Sequence, residues 1–134
     1  LAFGAAAASP DTPVVLFTGD GSFGYYLSEY EAASRQGFQF VAIVGNNAAW
    51  GLEQNLQSGL YGDEYVIAST LSSVRYSDAV RALGGHGEYV DSLSELPAAL
   101  ERALQSGLPS CIEIPIAPVP SALTQAVIAR GGEV

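Results

Sequence analysis

Asp20, Ser22 and Asn47 are the residues of this 134-residue chain whose types and spacing can do chemistry. Asp20 sits in Gly19-Asp20-Gly21-Ser22, directly after the apolar run Val14-Val15-Leu16-Phe17-Thr18. Asn47 closes Gly45-Asn46-Asn47, directly after a second apolar run, Phe40-Val41-Ala42-Ile43-Val44. Carboxylate and amide oxygens are hard donors, and magnesium takes few carboxylates when substrate phosphate and water complete its shell. A glycine-flanked turn that opens a helix presents backbone N–H groups to an anion. The set suits a magnesium-bound diphosphate. Asp20 and Asn47 would each supply a side-chain oxygen, and a backbone carbonyl just beyond Asn47 a third. The N–H groups of Gly21 and Ser22 would point at the phosphate.

That chemistry needs the two apolar runs to be neighbouring parallel strands joined by a helix, which brings their C-terminal ends side by side. Each run is continuous and bounded by turn signals, as expected of a strand covered on both faces. Ser22 can cap the connecting helix, with Phe23, Tyr26, Leu27, Tyr30 and Ala33 on one buried stripe and Gly37 as its stop. Tyr25, Tyr26 and Tyr30 are then packing residues on that helix.

Upstream, residues 1–9 read as an Ala-rich helix and residues 9–13 as a turn with two prolines. Downstream of Asn47 a loop leads into a short helix, and from Gln57 to Arg75 the periodicity fades at Gly59, Gly62 and Asp63. Ser77 can cap a helix through Val80 and Leu83. Tyr89-Val90 reads as a short strand. A helix follows, capped by Ser94, with Leu96, Ala99, Leu100, Ala103 and Leu104 on one stripe, Pro97 in its first turn and Gly107 at its end. Cys111 to Ile116 is the last strand, and Pro115 marks an edge position or the strand end. Alternating strands and helices imply an α/β fold, an open and mostly parallel sheet with helices on both faces. One domain is expected over 1–116, followed by a tail over 117–134.

Composition narrows the partners. Five Lys and Arg against 14 Asp and Glu give a formal net charge of −9, which argues against nucleic acid and anionic membranes. An anionic ligand must therefore be held locally, by backbone N–H groups and a metal. The single cysteine, Cys111, reads as a buried, inert thiol in an apolar strand. No long apolar span or signal peptide appears, so a cytoplasmic location is expected. The chain starts without methionine, within what reads as a helix, and is expected to be part of something longer. Trp50 reads first as a packing residue, His86 as a surface loop residue, and Glu113 as facing solvent or pairing at an edge.

Gly19-Asp20-Gly21-Ser22-Phe23-Gly24 also fits G-x-G-x-x-G, the dinucleotide fingerprint, so an NAD-type domain of an oxidoreductase is the alternative. Such a fold wants an acid closing the second strand to hold the ribose hydroxyls. Asn46-Asn47 stands there, and no acid lies between Gln36 and Trp50. Asp20 would also set an anion against the phosphate, which makes sense only with a cation between them.

Gly19-Asp20-Gly21 followed by Asn46-Asn47 resembles the thiamine diphosphate-dependent enzymes. Asn46-Asn47-Ala48-Ala49-Trp50-Gly51 and the run from Tyr76 to Pro115 are similar to the diphosphate-binding domain of their acetolactate synthase, benzaldehyde lyase and 2-hydroxyacyl-CoA lyase branch. The resemblance covers nearly the whole chain. It implies thiamine diphosphate and Mg2+ as cofactors, with Asp20 and Asn47 ligating the metal by side chains and Ala49 by its backbone oxygen. Gly21 and Ser22 would hold the diphosphate, and Gly19 and Trp50 fall in the same cofactor-binding stretches. Glu53 falls where one branch of the family has an acid near the substrate, a catalytic candidate. The resemblance further implies a lyase or transferase acting on a small 2-keto acid, aldehyde or acyloin, assembled as a homodimer or homotetramer. The cofactor serves as electron sink for decarboxylation or carbon–carbon ligation. The glutamate that activates the cofactor comes from a separate domain in this family, so the chain by itself is expected to bind cofactor without being catalytically complete. An α/β module that keeps the fold only for assembly is the third possibility.

Overall fold

The computed structural model describes residues 1–131. Four strands, β1 (Val15–Gly19), β2 (Val41–Asn46), β3 (His86–Tyr89) and β4 (Ser110–Pro115), form one parallel sheet in the order β1-β2-β4-β3. The helices are α1 (Ala2–Ala8), α2 (Asp20–Gly24), α3 (Glu29–Gln36), α4 (Gly51–Tyr61), α5 (Tyr76–Ala82), α6 (Leu96–Gln105) and α7 (Ala122–Ala129), with single 3-10 turns at Asp63–Tyr65 and Leu93–Glu95. The chain divides into two compact units. The first comprises 1–46 and 75–115, and the second 47–74 and 116–134.

In the first unit the alternation of side chains along each strand decides which helix covers what. Ala42, Val44 and Cys111 point to the face packed by α1, α3 and α5, through Ala6, Tyr30, Ala33, Tyr76 and Val80. Val41, Ile43 and Ile112 point to the opposite face, covered by α6. The stripe predicted for α6 is the one that packs there. Ala99 and Ala103 are fully buried, and Leu96, Leu100 and Leu104 lie against them. Tyr30 ties α3 to the start of β4 by donating its hydroxyl to the Ser110 carbonyl at 3.1 Å. Burial pushes the Tyr30 phenol and the Cys111 thiol well up from their ordinary values, as expected of an inert core thiol.

Several local expectations change. The helix after Gly19 begins at Asp20, so Ser22 is its third residue and not its cap. It also breaks. Tyr26, Glu29, Tyr30 and Glu31 each donate to the carbonyl three residues back, winding residues 25–28 as 3-10-type turns between α2 and α3. Three residues per turn rotates the stripe, and Tyr26 ends up 70% exposed while Phe23, Tyr30 and Ala33 stay buried. Gly37 does stop α3, at φ 74°, and Phe38 N–H closes the turn onto the Ala33 carbonyl at 3.0 Å.

The strand β1 is an edge strand, covered on one face only. Val15 and Phe17 lie on the α6 side, where α6 covers the strands beyond β1, and Phe17 is 75% exposed. Pro115 marks a strand end rather than an edge, because β4 lies between β2 and β3. His86 opens β3 instead of lying in a loop, and its ring meets Glu88 at 2.8 Å. The strand predicted at Tyr89-Val90 starts three residues earlier.

In the second unit α4 runs through Gly59 to Tyr61, so the irregular stretch begins later than Gln57. Gly59 does not break it because α7 packs there, with Ile128 over the glycine. Ser121 caps α7, accepting from Thr124 N–H at 3.1 Å.

Candidate functional site

The strands β1 and β2 run in register from Val15↔Val41 to Gly19↔Gly45. Asp20 and Asn46 therefore each stand one residue past the last matched pair. Asp20 is the first residue of α2, where an acid complements the unpaired N–H groups of the opening turn. Only 2% of it is exposed. Gly21 follows, half-buried, and Ser22 is exposed. A Cβ added at Gly19 would meet nothing within 4 Å, so the turn that carries Asp20 faces open space at its start. Ser22 also borders a mostly apolar cleft of about 500 Å³ between α1 and β1, lined by Phe3, Leu16, Thr18 and Tyr26.

Of the two asparagines, Asn46 has a structural task. Its Nδ2 donates to Glu113 Oε1 at 2.8 Å. The other oxygen of Glu113 accepts both the backbone N–H and the hydroxyl of Ser77, each at 2.9 Å. Glu113 is thus not at solvent or at an edge. It is 1% exposed on a central strand, with three donors around its carboxylate, so the polar group buried there is hydrogen-bonded. Ser77 does not cap α5. Arg75 holds the N-cap position with no side-chain bond, and Glu113 reaches across from β4 to satisfy the helix start instead. Tyr76, next in line, packs edge-on against Phe23 at 5.4 Å between ring centres. Burial, then the charges of Asp20 and Glu113, push its phenol upward, so both acids lie within electrostatic reach of it. Sequence reading missed Glu113 and Tyr76. The available signal was an acid inside an otherwise apolar strand, which a doubly covered sheet tolerates only with partners in place.

Asn47, Ala48, Ala49 and Trp50 belong to the second unit and lead into α4. An antiparallel bridge pairs Ala49 with Thr70. Its bonds come from the flanking residues, Trp50 N–H to the Ser69 carbonyl and Leu71 N–H to the Ala48 carbonyl, each at 2.7 Å. Gln54 adds a bond to the Thr70 hydroxyl at 3.2 Å, and Ser69 donates to Gln57 at 3.0 Å. Ala48 sits at φ 55°, left-handed backbone that a non-glycine residue adopts at a cost, and such positions cluster in binding loops. Ala49 is buried and Trp50 half-buried. Glu53 lies in the first turn of α4 and is exposed.

The donor chemistry suits a hard ion. Among the described residues no three His, Cys, Asp or Glu side chains come together as a metal-binding group. A centre of the zinc type is absent from this set, whereas an ion that asks for one carboxylate, an amide and a carbonyl remains compatible with it. Among the described residues no helix is long and apolar enough to cross a membrane.

Comparison with known proteins bears on what the site serves. The family model described as "Thiamine pyrophosphate enzyme, C-terminal TPP binding domain" matches residues 1–114. The acetolactate synthase large subunit IlvG of Mycobacterium tuberculosis is 44% identical over 113 residues, 84% of this chain and 20% of that protein. A sulfoacetaldehyde acetyltransferase of Alcaligenes xylosoxydans xylosoxydans is 35% identical over 101 residues, 75% of this chain and 17% of that protein. Among solved structures, the benzoylformate decarboxylase from Polynucleobacter necessarius superposes with a TM-score of 0.78 at 26% identity, over 90% of this chain and 23% of that one. The chain thus spans about a fifth of the length of the relatives it matches.

Proposed function

The chain belongs to the thiamine pyrophosphate enzyme family, as its C-terminal cofactor-binding domain, and from that premise we propose that it holds the diphosphate of the cofactor through Mg2+. Asp20 supplies the anionic ligand, Asn47 an amide oxygen and Ala49 its backbone oxygen, while the N–H groups of Gly21 and Ser22 bind the phosphate oxygens. The observation that carries this reading is Asp20 itself. It is a carboxylate 2% exposed, at the tip of β1, and it opens helix α2, whose first-turn N–H groups face out of the helix start. An acid set next to a phosphate is explained by a shared cation. The dinucleotide alternative loses its ground, since β2 closes on Asn46 with no acid and the family assignment accounts for the glycines.

When bound, thiamine diphosphate supplies an electron sink for breaking or making a bond beside a carbonyl. The residues of this chain anchor and orient. Asp20 and Asn47 fix the cofactor's charged end. Glu113 and Asn46 brace the end of β2, and Trp50 and the Ser69–Leu71 strap brace the stretch that follows it. Glu53, exposed on the first turn of α4, is the candidate for touching substrate. The whole protein is read as an acetolactate synthase-like enzyme, a lyase or transferase for a small 2-keto acid, aldehyde or acyloin, working in the cytoplasm as a dimer or tetramer. Its activity needs a cofactor-activating glutamate from elsewhere in the assembly.

Titration calorimetry of the full-length protein with thiamine diphosphate, with and without Mg2+, tests this. Binding should require the metal, and Asp20→Ala should abolish it. Undiminished affinity in Asp20→Ala overturns the assignment.

A further inference from the structure

Gly51, the first residue of α4, lies against the side chain of Asn47. A Cβ placed on Gly51 would stand 2.7 Å from Asn47 Nδ2, 3.8 Å from its Cγ and 3.9 Å from Oδ1. The amide therefore turns its nitrogen toward residue 51 and its oxygen away.

Nothing in the backbone asks for glycine there. Among the described residues the glycines with positive φ are 37, 62, 84, 107 and 131, and Gly51 is not one of them. Helix propensity also favours almost any other residue in a first turn. What glycine provides at this position is space. The surrounding backbone has little freedom to yield that space if a side chain arrives. Trp50 N–H is bonded to the Ser69 carbonyl at 2.7 Å, and Gln54 N–H to the Trp50 carbonyl at 2.8 Å. A methyl group at 51 would displace the tip of Asn47, because the tip of a side chain moves more cheaply than bonded backbone.

We infer that Gly51 is a positioning residue for Asn47: by leaving room for the amide nitrogen it sets the orientation in which Oδ1 serves as a ligand. This rests on the reading that Asn47 ligates Mg2+. It extends the site to a residue that touches neither metal nor cofactor.

Gly51→Ala and Asn47→Ala are compared with wild type in the full-length protein. Calorimetry reads Mg2+ binding in the presence of thiamine diphosphate, and thermal melting is read without ligand. The expected result for Gly51→Ala is a roughly ten- to hundred-fold loss of Mg2+ affinity, the size seen when the support of a metal ligand is disturbed, with the ligand-free melting temperature held or raised. Wild-type affinity in Gly51→Ala, where Asn47→Ala has lost it, overturns the positioning role and leaves the metal site standing. Full affinity in Asn47→Ala removes the reading beneath and the inference with it. Should Gly51→Ala melt early, the pair Gly51→Ala with Asn47→Ala decides. Melting restored to that of Asn47→Ala identifies the amide as the obstacle, and melting still depressed overturns the proposal.

Discussion

Glu113 accepts both polar hydrogens that Ser77 offers, N–H and hydroxyl at 2.9 Å each, so an acid on the central strand β4 serves as the missing cap of α5. Its second oxygen takes the amide of Asn46 at the end of β2. One carboxylate thus joins a helix start to the strand end that leads into the candidate ligand Asn47. Glu113→Ala removes the acceptor of three hydrogen bonds, the two from Ser77 buried, and should cost about 3 kcal/mol. Ser77→Ala keeps the backbone bond and should cost about 1 kcal/mol. Chemical denaturation of the two variants checks the ranking, and equal losses would contradict it.

Gly87 on β3 lies against the same helix start. A Cβ there would stand 1.9 Å from the Ser77 carbonyl oxygen and 2.7 Å from its carbon. Both atoms are helix backbone and cannot swing aside, so Gly87→Ala must separate β3 from α5. The expected loss is about 3 kcal/mol, read as a lowered melting temperature. A variant that melts with wild type would show that the two elements part freely.

The strand runs, the α6 stripe and the paired Gly-Asp-Gly and Asn-Asn motifs were legible because each is a local pattern. Continuous apolar runs, a 3.6-residue period and a glycine-flanked acid signal without knowledge of neighbours. What escaped depends on neighbours. Glu113 looked like a solvent or edge residue because its partners, Asn46 and Ser77, lie 67 and 36 residues away. Gly59 looked like a breaker because the residue that packs on it, Ile128, is in the tail. Ser22 and Ser77 looked like caps by type, yet an acid took the first turn in one case and an acid from another strand served the helix in the other. The exposure of β1 followed from strand order, which no single stretch encodes.

Acid should reveal the pair of β3 and α6. Hydrogen bonds from Arg102 are the main cause that holds the Glu88 carboxyl below its ordinary range, against the opposing effect of burial, and His86 adds to the lowering. A carboxyl depressed on folding contributes stability that is present above the ordinary carboxylate range and is lost as pH falls through its folded value. Arg102→Gln should therefore melt below wild type near neutral pH, with the gap closing as pH drops below about 4. A gap that stays constant into acid would show that Arg102 acts through packing instead.

Gly59 and Ile128 should show a change of sign. A Cβ at Gly59 would stand 2.4 Å from Ile128 Cδ1, 2.8 Å from Cγ1 and 3.1 Å from Cγ2. Ile128 is in α7, and a β-branched side chain in a helix has one strongly preferred χ1, so turning one branch away carries a penalty of its own. The flexible amide of Asn47 opposite Gly51 has no such constraint. Overpacking of this kind costs about 2 kcal/mol, while Ala gains about 1 kcal/mol over Gly in a helix interior. Gly59→Ala alone should therefore destabilise by about 1 kcal/mol. In an Ile128→Ala background the obstacle is gone and only the propensity gain remains, so the same substitution should stabilise by about 1 kcal/mol. A double-mutant cycle read by denaturant titration measures the difference. An unchanged effect of Gly59→Ala in the two backgrounds would mean that α7 does not rest on this glycine in solution.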